Sequence, residues 1–252
     1  MRIVVLFKVV PDDQDILALP NGELDFSKAH NVVSAYDLNA IEAAVQIASQ
    51  QEGGTVIALT VGGAGIDDSK LKKNVLARGV DELKMIADDA CSSLDAFATS
   101  SVLAKALKEM DNYDLIVSGD GSADNYTQQV DGQLSQKLNL PFVNAVTKAA
   151  VKEGVLCVER VLEDEIEQVE VPLPAVVSVS PDIAQPRIPG MKDILAAGKK
   201  PMEVNAASEV PANATKTLKC EASVQSERGR QIFDVSVEGA LEQFAKAIRE
   251  AV

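Results

Sequence analysis

The chain has 252 residues, of which 46% are hydrophobic and 25% charged, and 24 basic and 38 acidic side chains give it a net charge of −14. This composition is typical of a globular protein that buries a full core without disulfides or metals. The negative charge disfavours nucleic acid or an anionic membrane as the main partner, because neutralising phosphates requires a basic face. No run of about 18 apolar residues is present, so the sequence predicts no transmembrane helix.

The residues that usually carry catalysis or bind metals are sparse. Cys91, Cys157 and Cys220 are far apart, and His30 is the single histidine, so neither a metal-ligand spacing nor a Cys–His pair is present. The motifs of phosphate loops, nucleophile elbows and zinc proteases are also missing. We therefore expect no catalytic and no metal-ligating residues. The short apolar N-terminus lacks the features of a secretory signal, which predicts a cytoplasmic protein.

The first half of the chain alternates between strand-like and helix-like patterns. Apolar, β-branched runs predict strands at 3–7, 55–61, 82–86 and 113–117. Amphipathic spacing predicts helices at 38–48, 67–77, 94–109 and 127–138. Ser34 and Asp37 have the spacing of a capping box at the start of the first helix. This alternation with short connections predicts an α/β domain with a parallel sheet and right-handed crossovers.

After Pro141 the pattern changes to antiparallel strands and then to an extended arm. The predicted antiparallel strands are 143–151, 156–161 and 165–171, and the pattern then returns to a buried strand at 174–179. A basic segment flanked by prolines, 186–192, leads into a short helix that ends near Lys199. Residues 202–227 are rich in Ala, Ser and Thr and predict an extended arm, and 239–252 predicts an amphipathic helix. We expect an α/β domain over 1–205 and a C-terminal arm with its helix over 206–252.

Three segments of this sequence follow predicted strands, where open α/β sheets bind ligands. They are Phe7-Lys8 with the loop after it, Val61-Gly62-Gly63, and 119–129. Glycines there allow backbone N–H groups to approach a phosphate, and the last segment adds neutral amides and a hydroxyl. Each segment alone is compatible with a simple turn. Together at one edge of a sheet they favour a nucleotide site.

An ordered series of motifs resembles the electron transfer flavoprotein beta-subunit family, in particular its FixA-type branch associated with acyl-CoA reduction. The resemblance covers essentially the whole chain, and its motifs are Phe7–Asp15, Tyr36–Ala44, Ala58–Gly63, Gly119–Ser122 with Tyr126–Val130, Val158–Arg160, Leu162–Glu165, Leu173–Val177 and Pro186–Pro189. It implies a three-layer, adenine nucleotide hydrolase-like parallel-sheet domain, with an antiparallel hairpin region and an extended C-terminal arm that ends in a helix on the alpha subunit.

The resemblance also implies a function without bond chemistry. In this family the beta subunit binds AMP structurally, supports the alpha subunit that holds the redox-active FAD, and docks acyl-CoA dehydrogenase- or reductase-type flavoenzymes. By position, Tyr36 and the Asp12-Asp13 loop lie near that flavin. Bifurcating relatives hold a second FAD in the AMP pocket, which stays open as an alternative here. Asp124-Asn125-Tyr126-Thr127, in place of the loop typical of those relatives, favours AMP.

Two sets of residues carry over from the family by position. The nucleotide set is Leu6, Lys8, Ser34, Ala35, Tyr36, Asp37, Val61, Gly119, Asp120, Gly121, Ser122, Ala123, Asp124, Asn125, Tyr126, Thr127, Gln128, Gln129 and Val130. The partner-docking set is Arg187, Ile188, Pro189, Gly190, Met191, Lys192, Ile194 and Leu195. Met191 takes the place of the family's apolar anchor; the alternative is that it covers the chain's own core.

One position departs from the family pattern, and two other classes of protein remain as alternatives. Asp131 stands where relatives usually carry glycine, at the start of the phosphate-facing helix. Its carboxylate would repel a phosphate if it points inwards, and it would suit the helix dipole if it points to water. The other classes are an ATP-binding, universal-stress-type homodimer and an adenylating or pyrophosphatase enzyme. Neither has its signature loop in this sequence.

Overall fold

The computed structural model describes residues 1–110, 112–223 and 231–251, which form thirteen strands and six α-helices. The strands are β1 (Arg2–Leu6), β2 (Val9–Pro11), β3 (Leu17–Ala18), β4 (Leu24–Asp25), β5 (Asn31–Val33), β6 (Thr55–Gly62), β7 (Glu82–Ala87), β8 (Leu115–Gly119), β9 (Phe142–Lys152), β10 (Val155–Val161), β11 (Ile166–Pro172), β12 (Ala175–Val179) and β13 (Met202–Asn205). The helices are α1 (Ala35–Ser49), α2 (Ser69–Leu76), α3 (Ala96–Glu109), α4 (Val130–Leu138), α5 (Met191–Ala197) and α6 (Ala240–Ala251).

Nine strands form one sheet in the order β11-β10-β9-β12-β8-β1-β6-β7-β13. Seven neighbouring strands of this sheet, β9, β12, β8, β1, β6, β7 and β13, run parallel, and β10 and β11 extend it antiparallel. Two short ladders pair β2 with β5 and β3 with β4. The predicted α/β fold with an antiparallel hairpin region is therefore confirmed.

The central strands are apolar on both faces because helices cover both sides of the sheet. In β1, Ile3 and Val5 pack towards α1 and α2, whereas Val4 and Leu6 pack towards α3 and α4. The same alternation recurs in β8 and β12, since successive side chains of a strand point to opposite faces. The fold therefore has three layers, with the sheet between two layers of helices.

Some predicted boundaries differ from the observed ones. The fourth strand is Leu115–Gly119 rather than 113–117, and α4 begins at Val130 rather than near Thr127. The backbone explains the later start, because Gln128 has a φ of 54°, in the left-handed region that a right-handed helix does not contain. The residues 127–129 therefore belong to the loop that leads from β8 to α4.

The chain divides into two compact units. One comprises 1–17 and 25–219, and the other comprises 18–24 and 220–252. The predicted arm over 202–227 is wrong at its start, because Met202–Asn205 form β13 and pair in parallel with β7 at the edge of the sheet. Half-exposed side chains on this edge strand explain why its sequence lacks a core pattern. The parts of the arm and terminal helix predictions that fall on 224–230 and 252 lie outside the described residues.

Candidate functional site

The order of the strands places a topological switch point between β1 and β8, and we call the region beyond the carboxyl ends of these two strands the crevice. In the sheet, β6 and β7 lie on one side of β1, and β8, β12 and β9 lie on the other. Open α/β sheets bind ligands at such a reversal, beyond the carboxyl ends of the strands. Here β1 is followed by Lys8, and β8 is followed by the segment 120–129, which we call the β8–α4 loop.

Asp37, in the first turn of α1, holds the two strand ends together. Its carboxylate accepts a hydrogen bond from the backbone N–H of Lys8 at 2.7 Å and one from the backbone N–H of Gly119 at 3.2 Å. The side chain is buried, and this burial raises the pKa of Asp37 to about 7 even though both hydrogen bonds favour the carboxylate. Asp37 is therefore a buried titratable group at the centre of the crevice.

The capping box predicted at Ser34 and Asp37 is wrong. The Ser34 side chain makes no hydrogen bond to the first turn of α1, and its Oγ accepts one from the backbone N–H of Ala123 at 3.2 Å. Asp37 faces Lys8 and Gly119 instead of the N-cap. The two residues thus position the strand ends and the β8–α4 loop rather than capping the start of α1.

Two glycines are required where the β8–α4 loop passes its neighbours. A Cβ on Gly119 would lie 2.8 Å from Asp37 Oδ1 and 2.9 Å from the carbonyl carbon of Tyr36. A Cβ on Gly121 would overlap the ring of Tyr126. These contacts are shorter than real Cβ atoms tolerate, so both positions need glycine for close approach.

An ion pair closes one side of the crevice. Lys8 Nζ lies 2.6 Å from Asp124 Oδ2, and Ser122 Oγ donates to Asp124 Oδ1 at 2.5 Å. Burial raises the pKa of Asp124, but the hydrogen bonds from Lys8 and Ser122 outweigh it and leave this pKa below its ordinary value. The ammonium group of Lys8 is therefore already paired within the site.

Tyr36 and Tyr126 form an aromatic pair beside this ion pair. Their ring centroids are 5.0 Å apart with the planes tilted by 43°. Tyr126 Oη donates a hydrogen bond to Asp120 Oδ2 at 3.2 Å. Tyr126 and Gln128 both have positive φ, at 45° and 54°, which costs a non-glycine residue about 1–2 kcal/mol. Such strain is typical of loops that are shaped for a ligand.

The remaining residues of the predicted nucleotide set lie around this centre. Leu6 is buried in the core beneath α3 and α4, and Val61 is half-buried against the same cluster. Ala35 is exposed at the start of α1, and the β8–α4 loop exposes Asn125, Thr127, Gln128 and Gln129. The structure thus brings the ends of β1 and β8 and the start of α1 into direct contact, whereas Leu6 and Val61 contribute apolar packing.

A cluster of three buried polar side chains, Ser118, Ser178 and Asp120, lies beneath the first turn of α4. The sequence-based prediction included Asp120 and missed the two serines. Ser118 and Ser178 are in register on β8 and β12, so their side chains point to the same face. The buried Ser118 Oγ, Ser178 Oγ and Asp120 Oδ1 have no hydrogen-bond partner among the described residues. Serine inside the apolar strands Leu115–Gly119 and Ala175–Val179 was the available sequence signal.

Asp131 points into the same space and is only 5% exposed. Burial raises its pKa, while the nearby hydroxyl of Ser178 and the backbone N–H groups of Gly132 and Asp131 itself oppose the rise. The Ser178 hydroxyl is close to Asp131 but does not meet the geometry of a regular hydrogen bond. Of the two orientations considered for Asp131, the structure has the inward one.

A second surface is the segment 186–195, which we call the docking segment. Arg187 forms a two-point ion pair with Glu42 of α1, with Nε 2.6 Å from Oε2 and Nη2 2.9 Å from Oε1. Arg78 Nη1 donates to the carbonyl oxygen of Arg187 at 2.6 Å. Burial raises the pKa of Glu42, but hydrogen bonds from Arg187 and Gln46 outweigh it and lower this pKa overall. The base of the docking segment is therefore fixed on α1.

The apolar side chains of the docking segment project away from the protein. Ile188 is 94% exposed and Met191 is 74% exposed, and Leu195 is exposed as well. Gly190 N–H donates to Asp193 Oδ2 at 2.9 Å, which fixes the start of α5 next to Met191. Met191 therefore does not cover the chain's own core.

Residues 23–210 match the family model of the electron transfer flavoprotein domain. The chain belongs to the electron transfer flavoprotein domain family. This match confirms the resemblance seen in the sequence at the level of the family. Proteins with this domain are electron carriers that work with a partner protein. The matched stretch contains Ser34, Asp37, the β8–α4 loop and the docking segment.

Among the residues 1–110, 112–223 and 231–251, none of the helices combines the length and the apolar character that crossing a membrane requires.

Proposed function

We propose that this chain is the beta subunit of a heterodimeric electron transfer flavoprotein of the FixA-type branch. It holds AMP as a structural nucleotide, supports the FAD domain of the larger alpha subunit and docks acyl-CoA dehydrogenase- or reductase-type flavoenzymes, without catalytic residues of its own. The observation that carries this proposal is the presence, in one electron transfer flavoprotein domain, of a strained nucleotide-type loop and of an exposed apolar segment fixed by an ion pair.

The crevice between β1 and β8 suits the nucleoside part of AMP. The aromatic pair of Tyr36 and Tyr126 offers an apolar wall, and the exposed side chains of Asn125, Thr127 and Gln128 offer hydrogen bonds to ribose or adenine. The phosphate would face the start of α4, where backbone N–H groups favour an anion. In this role AMP supplies no redox chemistry and serves to order the β8–α4 loop.

Electrons are carried by the FAD that the alpha subunit holds, since the flavin and not the protein performs the redox chemistry. The contribution of this chain is to position that FAD domain. The terminal helix α6 supports such a role because Leu241, Phe244 and Ile248 place exposed apolar groups at helical spacing on one face. An exposed apolar helix face is a typical subunit contact.

The docking segment serves the redox partner. Its exposed apolar side chains, with Met191 as the anchor, suit an apolar patch on a dehydrogenase, because methionine adapts to irregular pockets. The ion pair of Arg187 with Glu42 presents these side chains from a fixed base, which reduces the entropy lost on docking.

Co-expression of this chain with an alpha-type subunit, followed by quantification of the nucleotides released from the purified complex, tests the proposal. We expect one FAD and one AMP per heterodimer. Two FAD without AMP would identify the bifurcating type, with the second FAD in the crevice between β1 and β8. A homodimer that binds ATP and forms no complex with the alpha subunit would overturn the proposal and favour a universal-stress-type protein.

A further inference from the structure

The first turn of α4 carries a buried carboxylate where the proposed pocket would receive a phosphate. Aspartate in a first turn is favourable for the helix dipole, but it ordinarily projects into water. Asp131 instead turns inwards and lies next to Ser178 of β12. The carboxylate is thus close to the backbone N–H groups of Gly132 and of Asp131 itself, which an incoming anion would also use.

The space around Asp131 contains buried polar atoms that have no hydrogen-bond partner among the described residues. Ser118 Oγ, Ser178 Oγ and Asp120 Oδ1 are buried and make no hydrogen bond to any described residue. Ser178 is 1% exposed and Asp120 is 9% exposed, so these atoms are withdrawn from bulk solvent. Buried polar groups are rarely left without partners, so these three atoms can offer hydrogen bonds to a group that enters this space.

The charges that face Asp131 are negative or neutral. Asp120, on the loop after β8, adds a second carboxylate, and burial raises the pKa of both groups. From α3, Phe97 and Ser100 face α4, and Asp95 is occupied in capping its own helix and binding Thr215. From β9, Phe142 lies against Gly132.

Lys137 and Lys8 are both engaged in other contacts. The Lys137 ammonium, on the last turn of α4, lies 3.9 Å above the ring of Phe97, and Lys8 is paired with Asp124. A phosphate that enters beneath α4 would therefore meet like charge unless a carboxylate takes up a proton.

We propose that Asp131 is the specificity-determining residue of the nucleotide pocket: the pocket accepts a phosphate-bearing nucleotide only together with a proton, which Asp131 holds, and it accepts an uncharged nucleoside without one. This inference rests on the proposed nucleotide site and adds the condition under which that site binds phosphate. The proton passes from solvent to a carboxylate oxygen of Asp131, and no other bond changes.

Calorimetric titration of the full-length chain with AMP and with adenosine, from about pH 6 to about pH 8.5, tests this proposal. For the natural chain we expect the AMP affinity to fall by up to about tenfold per pH unit once the pH exceeds the pKa of Asp131. Asp131→Asn should bind AMP at least about tenfold more tightly at the upper pH, with a flatter pH profile. Adenosine should bind both proteins equally at every pH.

The number of protons taken up gives a readout that does not depend on affinity. Titrations near pH 8 in buffers of different ionisation enthalpy should show that AMP binding takes up about one proton more in the natural chain than in Asp131→Asn. Asp164→Asn, which removes one exposed charge in the turn between β10 and β11, is the matched control and should behave like the natural chain. Asp131→Gly replaces Asp131→Asn if the latter unfolds.

Equal AMP affinity and equal proton uptake in the natural chain and in Asp131→Asn would overturn the inference and leave the nucleotide site standing. The inference is also overturned if Asp120→Asn, rather than Asp131→Asn, removes the pH dependence. If neither the natural chain nor any variant binds adenosine or AMP, the nucleotide site itself is overturned, and the inference with it.

Discussion

Gly119 and Asp37 meet at the end of β8, and their contact leaves no room for a β-carbon. The Gly119 N–H donates to Asp37, and a Cβ there would approach both the Asp37 carboxylate and the Tyr36 backbone closer than 3 Å. The same carboxylate also binds Lys8 N–H, so one residue joins the ends of two neighbouring strands. The geometry of the crevice thus depends on the absence of a β-carbon at position 119.

Gly119→Ala should lower the free energy of unfolding by about 1–3 kcal/mol, because the added methyl must displace Asp37 or the backbone of α1. Gly65→Ala is the matched control: a Cβ at Gly65 meets nothing within 4 Å, so its effect should stay within about 0.5 kcal/mol. Urea denaturation measures both. Equal stabilities of the two variants would contradict the close contact at Gly119.

The capping box that the sequence predicts at Ser34 and Asp37 is not formed. A serine three residues before an aspartate at a helix start has the pattern of a capping box, which satisfies the helix's own N–H groups. In the folded chain the N–H groups of Lys8, Gly119 and Ala123 are the donors. Local spacing does not reveal donors that come from segments distant in sequence.

Among the secondary structure elements, α1 connects the two candidate surfaces, the crevice and the docking segment. Asp37 in its first turn holds the ends of β1 and β8. Further along α1, Asn39 Nδ2 donates to the carbonyl oxygens of Pro181 and Ala184, and Glu42 binds Arg187. A single helix therefore positions both the crevice and the base of the docking segment.

Met191→Glu should slow electron transfer from an acyl-CoA dehydrogenase-type partner by roughly tenfold or more, because it places a charge where an apolar anchor is expected. Ile166→Glu is the matched control, since Ile166 of β11 is 65% exposed and lies outside the docking segment. The rate of reduction by the partner, with heterodimer yield as a check on folding, measures the effect. Rates that are unchanged in Met191→Glu would rule out the anchor.

For the whole molecule, the core lies almost entirely in the unit that comprises 1–17 and 25–219. Among the described residues beyond Lys219, Ala240 is the one buried apolar residue. Helix α6 instead exposes much of its apolar face, and its Phe244 forms an edge-to-face aromatic pair with Phe233, which precedes the helix. The core and the proposed contact with the alpha subunit thus lie in different parts of the chain.

Removal of 220–252 should leave a domain that unfolds cooperatively with a midpoint within a few degrees of the full-length chain, since little core is lost. The same truncation should abolish recovery of the heterodimer after co-expression. Leu241→Glu in the full-length chain is the matched variant, because it alters the apolar face of α6 without shortening the chain. Full heterodimer recovery with either protein would contradict the role assigned to α6.

Most of the architecture was predictable because burial is encoded locally. Central strands contain continuous apolar runs, such as 3–6 in β1 and 175–177 in β12, and α3 has a 3.6-residue apolar spacing, so their types followed from period alone. The strand β13 was missed because an edge strand with half-exposed side chains has no such pattern. The start of α4 was missed because the positive φ of Gln128 has no local signature.

The sequence by itself determined the fold class, the motifs that resemble the family and the segments from which the candidate site is built. Only the tertiary structure decided which polar groups meet: Glu42 with Arg187 across 145 residues, Ser118 beside Ser178, and Asp131 turned inwards rather than to water. The physical reason is that residue periodicity records how much of each side chain is buried. The partner of a buried polar group depends on strand order and register, which bring distant segments together.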